Sequence, residues 1–338
     1  MVCINRIPHI LFFCCGGVFI FLLFSNTTSN GEMLQSHEVS YGDAIALYET
    51  KNNLLEGDYM SCYKNQTVKC RGQFHNNMRV GLWTVYDSLG NEKMQRKYRN
   101  NFEFEQIYPP LPKSGPIKIL KEPYPLKYNK DGFIDYFFLN ERAVVVSKRI
   151  WRTIDLDPYH LTFFSSQKLM GSIVDSVIAK KYVEYADDDF RDTISKSGLA
   201  MLLDTANYYL EGFDCKEDWF FDNDRMLSET RIIGISPLVI PRGDVGDKHY
   251  HLGWFYFPQL RKTFAKIETG KKSCPKYIHT LDDLFFFRYF HGDIYKESNI
   301  YDRRLSDYTK PESMDDERDR IEVSMLEMEH DLWINFYK

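Results

Sequence analysis

The sequence has no basic excess and lacks the short motifs typical of nucleotide-binding and serine-hydrolase chemistry. Its 338 residues carry a formal net charge of −5, and no basic patch is interleaved with aromatic residues. Nucleic acid is therefore not expected as a partner. The phosphate-binding pattern Gly-x-x-x-x-Gly-Lys and the nucleophile turn Gly-x-Ser-x-Gly are both missing. We predict a protein that is not an enzyme and that has no cofactor and no metal.

The chain has one long apolar run, and it lies at the N-terminus. Arg6 precedes the run, which extends from Ile10 to Phe24 and is followed by small polar residues. A basic start, an apolar centre and a small polar exit are typical of a secretory signal peptide. The run is short for a spanning helix and contains two consecutive glycines. We predict a signal peptide over residues 1–29, with an uncleaved anchor as the alternative, and hence an exported protein.

Cysteine is scarce in the exported part of the chain. Three of the seven cysteines fall in the N-terminal segment, which leaves Cys62, Cys70, Cys215 and Cys274. Export permits disulfide bonds. Cys62 and Cys70 flank a polar tip and can meet across a hairpin; the alternative is four isolated thiols. The spacing does not match that of a zinc site.

Residues 38–106 are rich in strand and turn signals. The run from Gly72 to Asn91 is predicted as strand, turn, strand, turn, with Phe74, Leu82 or Trp83 at strand spacing. It resembles the hairpin repeats of the MORN type, which stack to bury their aromatic side chains. We predict a small antiparallel β-hairpin module. It either binds a partner or extends the main domain as a structural sheet.

A proline-rich linker and a connecting hairpin follow over residues 107–146. Residues 147–338 then alternate between helical and strand-like patterns. The chain is therefore predicted to be α+β, with a mixed helix and strand domain preceded by the hairpin module. The predicted elements are a helix around Leu169, Ile173 and Val177, strands over 232–240 and 252–257, and a helix from Thr280 through Tyr295.

A last helix is predicted near the C-terminus. One of its faces is apolar and the other is acidic, as expected of a helix that packs on a core and faces solvent. The apolar face consists of Ile321, Met325, Met328 and Leu332.

Two polar clusters are candidates for chemistry. Glu217 and Asp218 can supply a general acid and base, but no nucleophile accompanies them. His249 and His251 are two residues apart, which places both on one face of a strand, but the sequence suggests no third metal ligand. Together the two clusters define the alternative function, a periplasmic hydrolase or ligand-binding protein.

Six segments occur in order over a stretch that makes up more than half of the chain. They are SKRIWRTIDL from Ser147, KEDWFFD from Lys216 with RIIGISP from Arg231, WFYFP from Trp254, TLDDLF from Thr280 with RYF from Arg288, KESNIYDR from Lys296, and EHDLW from Glu329. This ordered set resembles the GldN (PorN) family of gliding-motility and type IX secretion proteins of Bacteroidetes. The hairpin module is outside the family pattern, and Gln259 stands where an acid is expected.

The resemblance implies a non-catalytic scaffold protein. Family members lie in the periplasm, at the inner face of the outer membrane. They form an oligomeric ring with a lipoprotein of the GldK or PorK type and contact the periplasmic arm of a GldM or PorM motor protein. The same is expected of this chain, with other copies of itself in the ring.

The matching segments supply the candidate residues for interaction or for the core. Trp219 to Phe221 either anchor the core or fill a partner's pocket, and Arg231 is expected to pair with a nearby acid. The full set is Arg149, Trp151, Trp219, Phe220, Phe221, Arg231, Trp254, Tyr256, Phe257, Arg288, Lys296, Asn299, Asp302, Arg303 and Trp333.

Overall fold

The computed structural model describes residues 34–110, 126–155, 183–194, 208–241, 249–268 and 275–336. These residues form two antiparallel sheets and three α-helices, which confirms the predicted α+β class. None of the helices in these ranges is long and apolar enough to cross a membrane. The predicted signal peptide, the helical pattern around Ile173 and Cys274 lie outside the described residues.

Sheet 1 is a meander of seven antiparallel strands, each hydrogen-bonded to the next in chain order. Alternate residues of a strand point to opposite faces, and in β2 the residues of one face are buried while those of the other are partly exposed. Asn52-Asn53 and Asn76-Asn77 have positive φ values, as two-residue hairpin turns require. The strands are β1 (Gln35–Tyr41), β2 (Ala44–Lys51), β3 (Leu54–Tyr63), β4 (Val68–His75), β5 (Met78–Tyr86), β6 (Glu92–Asn100) and β7 (Glu103–Tyr108).

The buried face of sheet 1 centres on Trp83, which is fully buried, whereas its neighbour Leu82 is 46% exposed. The indole lies flat on strand β4 because Gly72 has no side chain there. A Cβ added to Gly72 would lie 2.1 Å from the ring. The indole Nε1 donates to the carbonyl oxygen of Gln73 at 3.2 Å.

We expect Gly72→Ala to lower the free energy of unfolding by about 1–3 kcal/mol, because the added methyl group overlaps the Trp83 ring and the buried face must repack. Urea unfolding measures the change. Ser40→Ala, at an exposed position of β1, is the control and should stay within about 0.5 kcal/mol of the parent. Equal stability of the two variants would contradict this packing.

Sheet 2 has the order β14-β8-β10-β11-β13-β9, and β12 also pairs with β11. Its centre is a long hairpin of two 15-residue strands, β10 and β11. The strand predicted over 232–240 is part of β11, which continues through Pro237. Pro237 lies between the residues that pair with β13 and those that pair with β12. The strands are β8 (Val144–Asp155), β9 (Glu184–Tyr185), β10 (Tyr208–Asp222), β11 (Leu227–Pro241), β12 (Tyr250–His251), β13 (Trp254–Tyr256) and β14 (Asp293–Glu297).

Two predicted elements are shorter than expected. The strand predicted over 252–257 is limited to β13, because Gly253 has a φ of 110° and helix α1 (Phe257–Phe264) begins with a proline in its first turn. The helix expected from Thr280 through Tyr295 is α2 (Leu281–Phe286). It ends there because Arg288 adopts a left-handed conformation with φ 54°. Both helices pack on sheet 2 through an aromatic core that includes Phe213, Phe257, Phe264 and Phe285.

The last helix, α3 (Met314–Phe336), lies between the two sheets. Val323 and Trp333 pack into the core of sheet 1, whereas Ile321 and Met325 pack against sheet 2. We predicted that the acidic face of this helix is exposed to solvent, and for two of its acidic residues this prediction was wrong.

The two misplaced acids are Glu327 and Glu329, which are fully buried. Glu327 pairs with Lys69 at 3.0 Å, and Glu329 pairs with Arg79 at 2.5 Å. Both partners are on sheet 1. The helix can bury these carboxylates because sheet 1 supplies them with cations. Sheet 1 is therefore joined to α3 by buried ion pairs as well as by apolar packing.

Candidate functional site

A polar concave surface is built around Trp151 on β8. In the sheet register, Lys216 on β10 and Lys296 on β14 are both directly opposite Trp151. The three side chains share one face of the sheet because paired residues point to the same side. The Lys296 ammonium lies 4.4 Å from a ring centroid of Trp151, and that of Lys216 lies 5.5 Å away. The indole is thus held between two cations.

Asp188 completes this arrangement. One of its carboxylate oxygens accepts from the Trp151 Nε1 at 2.7 Å and lies 3.1 Å from the Lys216 Nζ. Burial alone would raise the pKa of Asp188, but the hydrogen bonds from Trp151 and Lys216 outweigh it and hold the pKa below its usual value. The Asp188 carboxylate is therefore charged at neutral pH and fixes the orientation of the indole.

Arg149 and Asp218 form the next cross-strand pair on the same face of β8 and β10. The guanidinium binds the carboxylate in a bidentate manner, with Nε to Oδ1 at 2.6 Å and Nη2 to Oδ2 at 2.8 Å. Both side chains are partly exposed, so we expect this pair to contribute little to stability. We call the whole depression, of 520 Å³, the Trp151 groove; it is lined by Ser147, Lys148, Arg149, Trp151, Asp187, Asp188, Asp189, Lys216, Asp218, Lys296, Ser298 and Asp302.

A rigid loop, residues 299–303, rises at one end of the groove, and we call it the Ile300 loop. The side-chain oxygen of Asn299 accepts from the backbone N–H groups of Tyr301 and Arg303, at 3.1 and 3.0 Å. Its amide nitrogen donates to the carbonyl oxygens of Glu297 and Arg303, at 2.9 and 2.7 Å. One side chain thus makes four hydrogen bonds that fix the backbone of the loop.

The Ile300 loop presents apolar side chains to solvent. Ile300 is 90% exposed and Tyr301 is 69% exposed. Asp302 adopts a left-handed conformation with φ 54° and pairs with Lys296 at 2.5 Å, which ties the loop to the groove. The guanidinium of Arg303 stacks over the Tyr301 ring at 4.9 Å. Two adjacent, exposed apolar side chains on a fixed backbone make this loop a candidate binding surface.

The structure gathers six of the predicted residues at this surface. They are Arg149, Trp151, Lys296, Asn299, Asp302 and Arg303.

Most of the remaining predicted residues lie elsewhere and are buried. Trp219 and Phe221 pack into two different core clusters, and Arg231 pairs with Glu229 at 2.6 Å. Tyr256 is 40% exposed. The side chains with less than a tenth of their surface exposed are those of Trp219, Phe220, Phe221, Trp254, Phe257 and Trp333.

Glu217 is poorly placed for acid–base chemistry. It is fully buried and accepts from Arg152 at 2.8 Å and from Arg288 at 2.8 Å. Burial alone would raise its pKa, but the two guanidinium groups outweigh this and lower the pKa. Glu217 is therefore a charged structural group that joins β8, β10 and the turn after α2. Arg288 was predicted to serve either an interaction or the core, and it pairs with this buried acid.

The two histidines pair with separate acids. His249 contacts Glu211, and His251 lies 3.6 Å from Asp214 and 3.1 Å from the Ser236 hydroxyl. Across the described ranges, no group of three or more His, Cys, Asp or Glu side chains is arranged to hold a metal ion.

Cys62 and Cys70 are both free thiols, as is Cys215. In the hairpin of β3 and β4, Cys70 pairs with Ser61 and Cys62 pairs with Val68, with an irregularity between them. The two cysteines are therefore not opposite each other, and the disulfide that their spacing permits does not form.

Several residues of the site were missed by the sequence reasoning. Lys216 and Asp188 hold the indole, and Ile300 and Tyr301 form the exposed tip, yet none was a candidate. An acidic run, Asp187-Asp188-Asp189, was the only local signal for Asp188. The pair Ile300-Tyr301 lay inside a matching segment, but exposure cannot be read from two apolar residues in a row.

A family model matches residues 139–334, more than half of the chain. The match defines the class of protein, a component of the gliding-motility and type IX secretion machinery. The matching model is described as gliding motility associated protein GldN, and the chain belongs to the GldN family, as the resemblance predicted. A comparison with curated proteins finds no match.

Proposed function

We propose that the chain is a non-catalytic, periplasmic scaffold of this machinery, at the inner face of the outer membrane. In this proposal it forms an oligomeric ring with a GldK-like or PorK-like lipoprotein and contacts the periplasmic arm of a GldM-like or PorM-like motor protein. Family membership and the signal-peptide pattern support this role. The observation that carries it is the Ile300 loop, a rigid and exposed apolar tip beside the Trp151 groove.

We assign the contact with the lipoprotein to the Ile300 loop and the Trp151 groove. The rim of the groove is polar, and three of its cations are paired within the chain, Lys216 with Asp188, Arg149 with Asp218 and Lys296 with Asp302, so a partner does not have to neutralise them. An apolar anchor within a polar rim is the usual anatomy of a protein interface. Sheet 1, which we propose is built from MORN-type hairpins, braces α3 and gives the scaffold a second face.

The test is the double variant Ile300→Asp with Tyr301→Asp. We expect it to remain folded, because both side chains are exposed, and to lose most of the co-purifying lipoprotein, because each buried anchor is worth about 2 kcal/mol or more. The measurement is gentle extraction of a tagged protein, separation by size and mass spectrometry.

The control is Leu89→Asp, which places the same charge at an apolar residue that is 84% exposed in a turn of sheet 1. This variant should keep the large particle. If the double variant keeps the lipoprotein as well as the parent does, the assignment of the contact is wrong. If the parent itself runs as a free monomer, the ring proposal is wrong.

A further inference from the structure

A hairpin of the chain itself forms one wall of the Trp151 groove and covers part of sheet 2. We call this hairpin, residues 183–194, the strap. It is closed by a hydrogen bond from the Ala186 N–H to the Asp192 carbonyl oxygen at 2.7 Å. Its strand β9 pairs with β13 over two residues at the edge of the sheet. The tip of the strap, residues 187–190, reaches from this edge to Trp151.

The tip covers a row of cross-strand neighbours on one face of sheet 2. Lys216 pairs with Trp151 on one side and with Gly234 on the other, and Gly234 pairs with Tyr256. All four residues therefore lie on the same face. We call them the strap site.

One part of the strap site binds a carboxylate. The Trp151 Nε1 donates to the Asp188 carboxylate at 2.7 Å, and the Lys216 Nζ lies 3.1 Å from the same oxygen. Lys216 also donates to the backbone carbonyl oxygen of Asp188 at 2.6 Å. An ammonium group and an indole N–H that converge on one oxygen favour a carboxylate over a neutral acceptor, because hydrogen bonds between charged groups are stronger.

The other part of the strap site binds an aromatic ring. A Cβ on Gly234 would lie 2.6 Å from the Cζ of Phe190, so the ring occupies the space that a side chain would fill at any other residue type. The Lys216 Nζ lies 5.5 Å from the centroid of this ring, and Tyr256 packs against it edge to face at 5.9 Å. The missing side chain and the neighbouring cation thus form a place for a ring two residues after the bound carboxylate.

The strap itself is held less firmly than the residues under it. None of its residues is buried, whereas Trp151 and Lys216 are 7% and 4% exposed. Phe190 has a φ of 57°, a left-handed conformation that is unfavourable for an aromatic residue. A segment without buried side chains opens at a lower free-energy cost than the sheet that it covers.

The strap site can be reached from outside while the strap is in place. Trp151, Lys216 and Asp188 all line the open Trp151 groove. A segment of another protein that lies in the groove is therefore next to the carboxylate-binding groups before the strap leaves.

We propose that the strap site recognises a segment of a partner protein that carries an aspartate and, two residues later, an aromatic residue, and that the strap occupies the site until this segment replaces it. The inference rests on the proposed function and deepens it, because it states what the groove recognises and how access to it is controlled. Lys216 stays paired throughout, first with Asp188 and then with the incoming carboxylate.

Fluorescence anisotropy with a labelled peptide of residues 183–194 and the purified mature protein tests the proposal. The open variant, Asp188→Asn with Phe190→Ala, removes both contacts of the chain's own strap. We expect the peptide to bind this variant at least about tenfold more tightly than the parent, because the parent can bind only while its strap is open. A peptide with the same two changes should not bind. A peptide with Asp192→Asn, which loses the same charge at an exposed position, should bind like the unchanged one.

A third change tests the location. Trp151→Phe, made in the open variant, keeps an aromatic ring but removes the indole N–H, and it should weaken peptide binding about tenfold, the effect of losing one hydrogen bond to a charged group. If this protein does not fold, the comparison of the peptides still decides.

Three results would overturn the proposal: no binding to the open variant, equal binding to the parent and the open variant, or equal binding of the doubly changed peptide. A stable dimer of the parent that the open variant does not form would show that a second copy supplies the segment, and this would overturn the assignment to a partner protein. The assay contains no lipoprotein, so its failure leaves the Ile300 and Tyr301 test of the proposed function unaffected.

Discussion

Replacing Glu329 by alanine is expected to lower the free energy of unfolding by about 3–5 kcal/mol, because the change leaves a buried guanidinium without its carboxylate. Glu329 is fully buried and receives hydrogen bonds from Arg79 of sheet 1 at 2.5 Å and from the backbone of Ser228 in sheet 2 at 2.8 Å. Urea unfolding at neutral pH, followed by circular dichroism, measures the change.

The control is Glu312→Ala, which removes an exposed carboxylate just before α3 and should change stability by no more than about 0.5 kcal/mol. Because Glu329 joins both sheets, tryptophan fluorescence and circular dichroism should report one transition in the parent protein. If the Glu329→Ala variant is as stable as the Glu312→Ala variant, the buried Arg79–Glu329 pair does not stabilise the packing of the two sheets.

Raising the pH from about 7 to 10 is expected to destabilise the protein, and His330 is the expected cause. His330 is fully buried beside Glu327 on α3, with Nδ1 3.1 Å from the carboxylate. Burial alone would lower its pKa, but Cys70 and Glu327 outweigh it and raise the pKa from 6.5 to about 10. The folded protein therefore holds a proton that the unfolded chain releases above pH 6.5.

The direction of the pH effect follows from this difference. Since the pKa is higher in the folded state, the stabilising contribution of His330 is complete below about pH 6.5 and is lost as the pH rises through about 10. We expect His330→Gln to be less stable at pH 7 and to lose less stability between about pH 7 and 10 than the parent does. Urea midpoints at the two pH values measure both quantities.

His279→Gln is the matched control, since His279 is exposed at the start of α2. Tyrosines and lysines also titrate near pH 10, so the difference between parent and variant is the informative quantity. If the parent and both variants lose the same stability on going to pH 10, the Glu327–His330 pair is not the source.

Local patterns in the sequence predicted a good part of the fold. The spacing of Phe74 and Trp83 predicted strands, and the structure places both residues in strands of sheet 1. The pattern could not decide between Leu82 and Trp83 as the inward residue, because a shift of one residue exchanges the two faces. Similarly, the cap at Thr280 marked the start of α2, but the end of that helix depends on the left-handed Arg288, which has no sequence signal.

The Trp151 groove depends on long-range pairing, which no local pattern contains. Trp151, Lys216 and Lys296 become neighbours only through the registers of β8 with β10 and with β14. The buried acids of α3 were missed for the same reason. Glu327 and Glu329 were predicted to face solvent because acids on a helix are usually exposed. They are buried because sheet 1 covers that side of α3.

The position of α3 has a consequence for how the chain folds. Arg79 and Glu329 are 250 residues apart, and the core of sheet 1 includes Trp333. Sheet 1 is synthesised early, yet the helix that covers its apolar face is synthesised last. Contacts of such large sequence separation form slowly. Until α3 docks, the aromatic face of sheet 1 is exposed to other chains, so this sheet is where a holding chaperone would be most needed before folding is complete.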